Sequence, residues 1–331
     1  ADPEQDSFYY IDEDDGNKTV QVYLTKAPNT VSSMLESDIH FYLYTRRSPA
    51  ESKLSMNTSN GNWTNFDINS PTKFLVHGFL SSYDSKDFPQ GAKNAYVQHF
   101  NQQNVNLILV DWKKGARLVV DSQGFKFYGN AAENTNVVAN QVVKFITWMI
   151  NNGKAKLEDM HFIGHSLGAQ TCGIASDRFS KANPGGGKFT KITALDPALP
   201  CFGDIFSNIC NILVGAKNED RLSPDDADVV HVIHSNPSGF GVYDPVGTAD
   251  FYLNGVAPVQ PGCFPFFIII KGVLIPVPHS TCSHSRAHQV LTVSIDKSMY
   301  FKACTCANMW NLAMETCECQ NHIGMGEYTS R

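Results

Sequence analysis

The stretch that most constrains this chain is Gly164-His165-Ser166-Leu167-Gly168. An apolar run, residues 160–163, leads into it, and a helix-compatible stretch follows. A strand, a sharp turn carrying Ser, then a helix is the context of a nucleophile elbow. Such a turn strains the Ser backbone and lifts its hydroxyl clear of a sheet. The two glycines leave room where the helix packs against the strand.

The flanking sequence supplies the sheet. Residues 20–24 and 39–44 carry strand patterning. Residues 73–79 and 105–110 are continuous apolar runs, as are 189–195 and 229–233. Runs of that length fit strands buried on both faces. Residues 131–150 place apolar side chains at helical spacing and stop at Gly153. Strands alternating with helices predict an α/β chain with a mainly parallel sheet covered on both faces. Residues 4–16 read as a solvated lead-in and 46–65 as surface loop. Ala1-Asp2-Pro3 reads as a processing or cloning junction and stands outside fold reasoning. No repeat or low-complexity linker divides residues 4–331, which predicts one domain.

At 331 residues and 42% hydrophobic, the chain can bury a sizeable core. A net charge of −6 without a basic tract argues against a nucleic-acid partner. No apolar stretch is long enough to span a membrane, and no signal peptide is visible. Nine cysteines point to an oxidising compartment. Cys201 and Cys210 bracket one short loop, Cys263 and Cys282 another. Cys304, Cys306, Cys317 and Cys319 form a symmetric nest, and Cys172 remains as a buried free thiol. Sequons at Asn17, Asn57 and Asn62 also fit a secreted, extracellular glycoprotein.

Serine at its ordinary pKa needs a base, usually His, oriented by a carboxylate. In an α/β-hydrolase their chain order is Ser, acid, His. Asp196 ends the run 192–195, and Pro197 follows it. It fits the acid, although a strand-end turn Asp would look the same. His231 and His234 sit in an apolar strand and read as structural. His279, His284 and His288 remain for the base. His284 is preferred over His288 because Cys282 tethers its loop and an apolar helix-like run follows. An oxyanion needs donors. The Leu167 N–H is one, and the Phe79 N–H in His77-Gly78-Phe79 is the other. His77 itself reads as a structural residue under that loop.

With these pieces placed, the chain resembles the pancreatic-type lipase family, which includes secreted lipases and phospholipases A1. The matching segments are His77-Gly78-Phe79, Val110-Asp111-Trp112-Lys113-Lys114-Gly115, residues 164–169, and Leu195-Asp196-Pro197-Ala198. Further on come Asp250-Phe251-Tyr252 with Asn254-Gly255, Pro261-Gly262-Cys263, and Cys282-Ser283-His284-Ser285-Arg286. They occur in the family's order and span about residues 75–290. The resemblance implies an α/β-hydrolase fold with Ser166 as nucleophile, Asp196 as acid and His284 as base. It implies Phe79 and Leu167 as oxyanion donors, and Cys263–Cys282 as the base of a lid over the site. In the nest, the Cys306–Cys317 spacing resembles a family bridge, leaving Cys304 for Cys319. Cys201–Cys210 completes the expected set.

The chain departs from the family's pattern in three places. Larger members carry a C-terminal β-sandwich that docks a protein cofactor. This chain ends soon after residues 325–328, so neither that domain nor that partner is expected. Some members bind calcium through an acidic loop. Here residues 219–226 have Ser223 where a carboxylate belongs, so no metal or other cofactor is expected. Gln170 replaces a usual His without touching a catalytic role.

The lid segment, residues 264–281, is intermediate in length and almost wholly apolar; it includes Phe266, Phe267 and Ile269, and Lys271 is its one formal charge. The expected activity is hydrolysis of lipid esters at a lipid–water interface. Triacylglycerol is slightly preferred on account of the lid, with phospholipase A1 activity as the alternative. A non-catalytic lipid-binding or storage protein on this fold would usually lack the nucleophile.

Overall fold

The computed structural model describes residues 7–12, 18–27, 34–57, 62–99, 104–202, 221–270, 273–277 and 279–329. The chain enters as an antiparallel pair, β1 (Ser7–Asp12) and β2 (Lys18–Tyr23). Next come β3 (His40–Thr45), β4 (Ser52–Leu54), β5 (Thr72–Val76), helix α1 (Gln90–His99) and β6 (Asn106–Asp111). Two short strands, β7 (Val119–Val120) and β8 (Lys126–Phe127), precede the long helix α2 (Gly129–Asn151). β9 (Met160–His165), α3 (Leu167–Ala182) and β10 (Phe189–Leu195) form the centre. β11 (Ala227–His234) and β12 (Ala249–Tyr252) follow.

The main sheet has the order β12-β11-β10-β9-β5-β6-β3-β4. Strands β5, β6 and β9 to β12 pair in parallel; β3 is antiparallel to both β6 and β4. Successive side chains of a strand face opposite ways, and here each set has its own core. Phe74, Val76, Ile108, Val110 and Phe162 face α2 and α3, packing with Val138, Phe145, Ile146 and Ile174. Leu75, Leu107, Leu109, Ile163, Leu195 and Ile233 face α1 and the later helix α4 (Ser280–Ser294), packing with Tyr96, Ala287 and Leu291. This two-sided burial is why the strands read as continuous apolar runs. After β5 the chain builds outward through β6, then returns to lay β9 on the other side of β5. A reversal of this kind opens a crevice at the carboxyl ends of the strands.

Two expectations need correction. Residues 4–16 are not wholly a solvated lead-in, because Ser7–Asp12 forms β1 in a second sheet of order β1-β2-β8-β7. The stretch 46–65 is not only loop, since β4 pairs with β3 and buries Leu54. Trp63 is buried too, and its indole N–H donates to the Ser55 carbonyl at 2.9 Å. Single apolar anchors in a polar run create no periodicity, so the pattern conceals them.

The lid segment contains an antiparallel hairpin, β13 (Phe266–Ile270) with β14 (Val273–Val277). The Phe266, Phe267 and Ile269 side chains lie outside what is described. Cys263–Cys282 closes the base of this segment, with a Cα–Cα distance of 5.6 Å. A last pair, β15 (Phe301–Thr305) and β16 (Glu318–Met325), encloses the short helix α5 (Met309–Ala313). Cys304–Cys319 and Cys306–Cys317 bridge it. Cys172 is free and buried. Cys201 is disulfide-bonded, and Cys210 lies outside the described residues.

Candidate active site

The crevice at the carboxyl ends of β5, β9, β10 and β11 collects the residues singled out in the sequence. Ser166 lies between β9 and α3 with φ 58° and ψ −122°, left-handed backbone that a side chain rarely adopts. Its N–H donates to the Leu195 carbonyl at 3.0 Å, which ties the turn to the end of β10. Close approach explains the flanking glycine: a Cβ on Gly168 would meet the Val76 carbonyl oxygen at 2.1 Å. Ser166 itself is 7% exposed.

Asp196 follows β10 directly and is fully buried. Its Oδ1 accepts from the Ser235 N–H at 2.7 Å and the Asn236 N–H at 3.0 Å, both just beyond β11. Its Oδ2 lies 2.5 Å from His284 Nδ1. A carboxylate only accepts, so Nδ1 carries the proton and the neutral ring presents a lone pair at Nε2. The His284 carbonyl is held as well, accepting from Ser235 Oγ at 3.2 Å and His165 Nε2 at 3.1 Å.

The other histidines are occupied differently. His279 caps α4, and its Nδ1 accepts from the Cys282 N–H at 3.3 Å. His288 is buried between Phe88 and His165, and burial pushes its pKa down to about 3. His165 is also driven well below its ordinary value, by burial first and then by His284 and His288. His234 Nε2 pairs with Asp250 at 2.8 Å and its Nδ1 with the Val242 carbonyl at 3.0 Å. His77 is fully buried, stacks on Trp112 and accepts the Trp112 N–H at 3.1 Å.

Gly78 brings the loop after β5 against the elbow: a Cβ there would stand 2.8 Å from Ser166 Cβ. The Leu80 N–H, bonded to the Ala116 carbonyl at 2.8 Å, pins the next turn. Among the described residues, the Phe79 and Leu167 N–H groups have no hydrogen-bond acceptor. Leu167 opens α3, where such unsatisfied donors are expected. In the former acidic segment, Asp226 accepts the Ser223 N–H at 2.7 Å and is raised to about 7 by burial. No group of three or more His, Cys, Asp or Glu side chains among the described residues is placed to hold a metal. Asn57 and Asn62 are exposed, and Asn17 lies outside the described residues.

A cleft of about 1350 Å³ lies elsewhere, between the β12 edge and the bridged C-terminal hairpin. It is lined by Phe251, Phe301 and Met325 and contains neither Ser166, Asp196 nor His284, so its size does not mark the site of chemistry.

The family model described as Lipase matches residues 9–330. The chain belongs to the lipase family. Its relatives include lipase member H of Danio rerio, 31% identical over 284 residues, covering 84% of this chain and 54% of that protein. Human pancreatic triacylglycerol lipase is 30% identical over 299 residues, covering 86% and 58%. Phospholipase A1 of Polybia paulista is 33% identical over 267 residues, covering 78% and 72%. The chain thus spans about half the length of the two vertebrate relatives. As a lipase-family member it has the α/β-hydrolase fold, with a mostly parallel sheet and helices on both faces.

The sequence offered no sign of Ser235 or His165 as holders of His284. Ser235 belongs to no motif, and His165 occupies a variable position of the elbow; each acts through a contact with a residue far along the chain.

Proposed function

We propose that this lipase-family protein hydrolyses the carboxylic esters of lipids, with Ser166, His284 and Asp196 as its catalytic triad. The observation that carries the reading is the bond of 2.5 Å from His284 Nδ1 to the buried Asp196, beside a serine in an elbow. His284 Nε2 takes the Ser166 proton as Oγ attacks the ester carbonyl. The carbonyl oxygen gains a negative charge, which the Phe79 and Leu167 N–H groups are free to bind. Collapse expels the alcohol, which leaves with the proton from His284, and the acyl group stays on Ser166. Water then repeats the sequence with His284 as base and releases the fatty acid.

Ser166→Ala should lower turnover by roughly 10⁶-fold and abolish labelling by an organophosphate, while Asp196→Asn should cost about 10⁴-fold. Near-normal hydrolysis by a folded Ser166→Ala protein would refute the triad. A wild-type protein that is inert and takes no organophosphate label would favour the storage reading.

Triacylglycerol is the substrate we favour, on the intermediate length of the lid segment. Phospholipase A1 activity is the second reading, supported by the Polybia paulista relative and its 72% coverage. Assaying a triglyceride emulsion and phosphatidylcholine vesicles side by side, with positional analysis of the products, decides between them. Three described disulfides support secretion into an oxidising compartment. Glycans at Asn57 and Asn62 would be removed by an amidase with a matching loss of mass.

A further inference from the structure

Two aromatic side chains reach the site from the lips of the crevice. Phe79, beside one unsatisfied N–H, packs edge-to-face on Tyr128 at 4.9 Å. Phe240, from the loop after β11, packs edge-to-face on His284 at 5.7 Å. The gap between these pairs is closed by Phe8, a residue of β1 that lies outside the main sheet. Its ring meets Tyr128 at 5.7 Å and Phe240 at 5.3 Å, again edge-to-face in both cases. The ring contacts therefore run unbroken through Phe79, Tyr128, Phe8, Phe240 and His284. Tyr128 is buried behind the others, while Phe79, Phe8 and Phe240 are half-buried and keep open surface. β1 also runs beside α4, the helix that bears His284. The position of Phe8 is fixed by its strand, where it stands opposite the fully buried Val22.

We propose that the open faces of these rings form the groove that takes the acyl chain, and that Phe8 closes it and sets the length of acyl chain accepted. The inference rests on the ester-hydrolase reading above. The ligand is an acyl chain because the open surface is aromatic and apolar, and the acyl chain is the apolar group attached to the reacting carbonyl in triglyceride and phospholipid alike. An arch that joins both lips bounds the groove at one end. A smaller residue at its crown lengthens the groove, and a larger one shortens it. Rings in this edge-to-face array also support one another, so Phe8 is held as a wall.

The test uses the full chain and p-nitrophenyl esters, which keep the leaving group constant. kcat/KM is measured for the butyrate and the laurate, each below its aggregation concentration. Phe8→Ala should raise the laurate-to-butyrate ratio by about tenfold or more, the scale of one methylene in an apolar pocket. Phe8→Trp should lower it by a similar factor. Thermal unfolding checks both variants, and Phe8→Trp keeps an aromatic ring in the array should Phe8→Ala fail to fold. A ratio unchanged in the folded variants, or moved the other way, overturns the proposal. A wild-type protein that hydrolyses neither ester and takes no organophosphate label overturns the hydrolase reading instead.

Discussion

At the scale of single residues, Ser235 links Asp196 and His284, the proposed partners of Ser166. Its N–H binds Asp196 Oδ1 at 2.7 Å, and its hydroxyl donates to the His284 carbonyl at 3.2 Å while receiving the Ala287 N–H at 3.2 Å. The backbone contact survives substitution, whereas the hydroxyl does not. Small displacements of a general base are expensive, so Ser235→Ala should reduce kcat by roughly tenfold with KM little changed. Ser235→Thr, which restores a hydroxyl, should recover most of the loss. Unchanged kcat in Ser235→Ala, or a defect that appears only as lowered thermal stability and resists rescue by Thr, would remove Ser235 from the positioning machinery. The histidine choice also belongs to this scale. Residues 279, 284 and 288 share one helical stretch, and only packing tells them apart. One caps the helix, one faces Asp196, and one is buried against Phe88.

Among the elements, the hairpin β13–β14 bears most on function. Its register pairs Phe266 with Val277 and Ile270 with Val273. Consecutive residues of a two-stranded ribbon alternate between faces. Here both sets are apolar in sequence. A ribbon apolar on both faces loses about 25 cal/mol for each Å² left in water, so each face needs a cover. The reading consistent with the tether at Cys263–Cys282 is enzyme on one face and lipid on the other. Replacing Phe266, Phe267 and Ile269 with Ser should then depress hydrolysis of emulsions or vesicles and spare a soluble short-chain ester. Equal losses on the two substrates would mean that the hairpin is core. The elbow strand and helix, by contrast, are ordinary βα geometry made special by one turn, and their bounds follow the apolar pattern closely.

For the whole molecule, the opposite end of the sheet is polar inside. Lys73 and Glu327, each with a side chain 5% exposed, pair at 2.6 Å. Tyr96 donates to the same carboxylate, and Lys73 also meets His161 Nδ1 at 2.9 Å. This network holds residues 326–329 beneath the β5–β9–β10 strands. His161 therefore accepts from Lys73 and donates through Nε2 to Thr193 at 2.8 Å, so its ring is neutral. Burial, the first cause in every case, depresses five histidines: His40, His161 and His165, the last two well below the ordinary value, His231 to about 4 and His288 to about 3. A depressed pKa in the fold means that the unfolded chain binds more protons as acid is added. The stability these groups supply is complete above about pH 6.5 and is lost progressively as the pH falls toward about 4. Thermal unfolding should shift to lower temperature between about pH 7 and pH 5, and calorimetry at about pH 5.5 should record proton uptake on unfolding. A midpoint that does not move and an uptake near zero would contradict neutral burial of these rings.

The strand–helix alternation, the parallel core strands and the elbow were all legible in the sequence. Each is carried by neighbours: an apolar run that two packed faces require, a glycine spacing that close approach requires, a proline that ends a strand. The strand-end position of Asp196 is local in the same sense. The tertiary structure alone decided which carboxylate oxygen meets His284, that Ser235 and His165 hold its backbone, and that Phe8 reaches the site from a second sheet. Those contacts join residues dozens to hundreds of positions apart. They depend on how the sheets and helices pack, which no local period or spacing encodes.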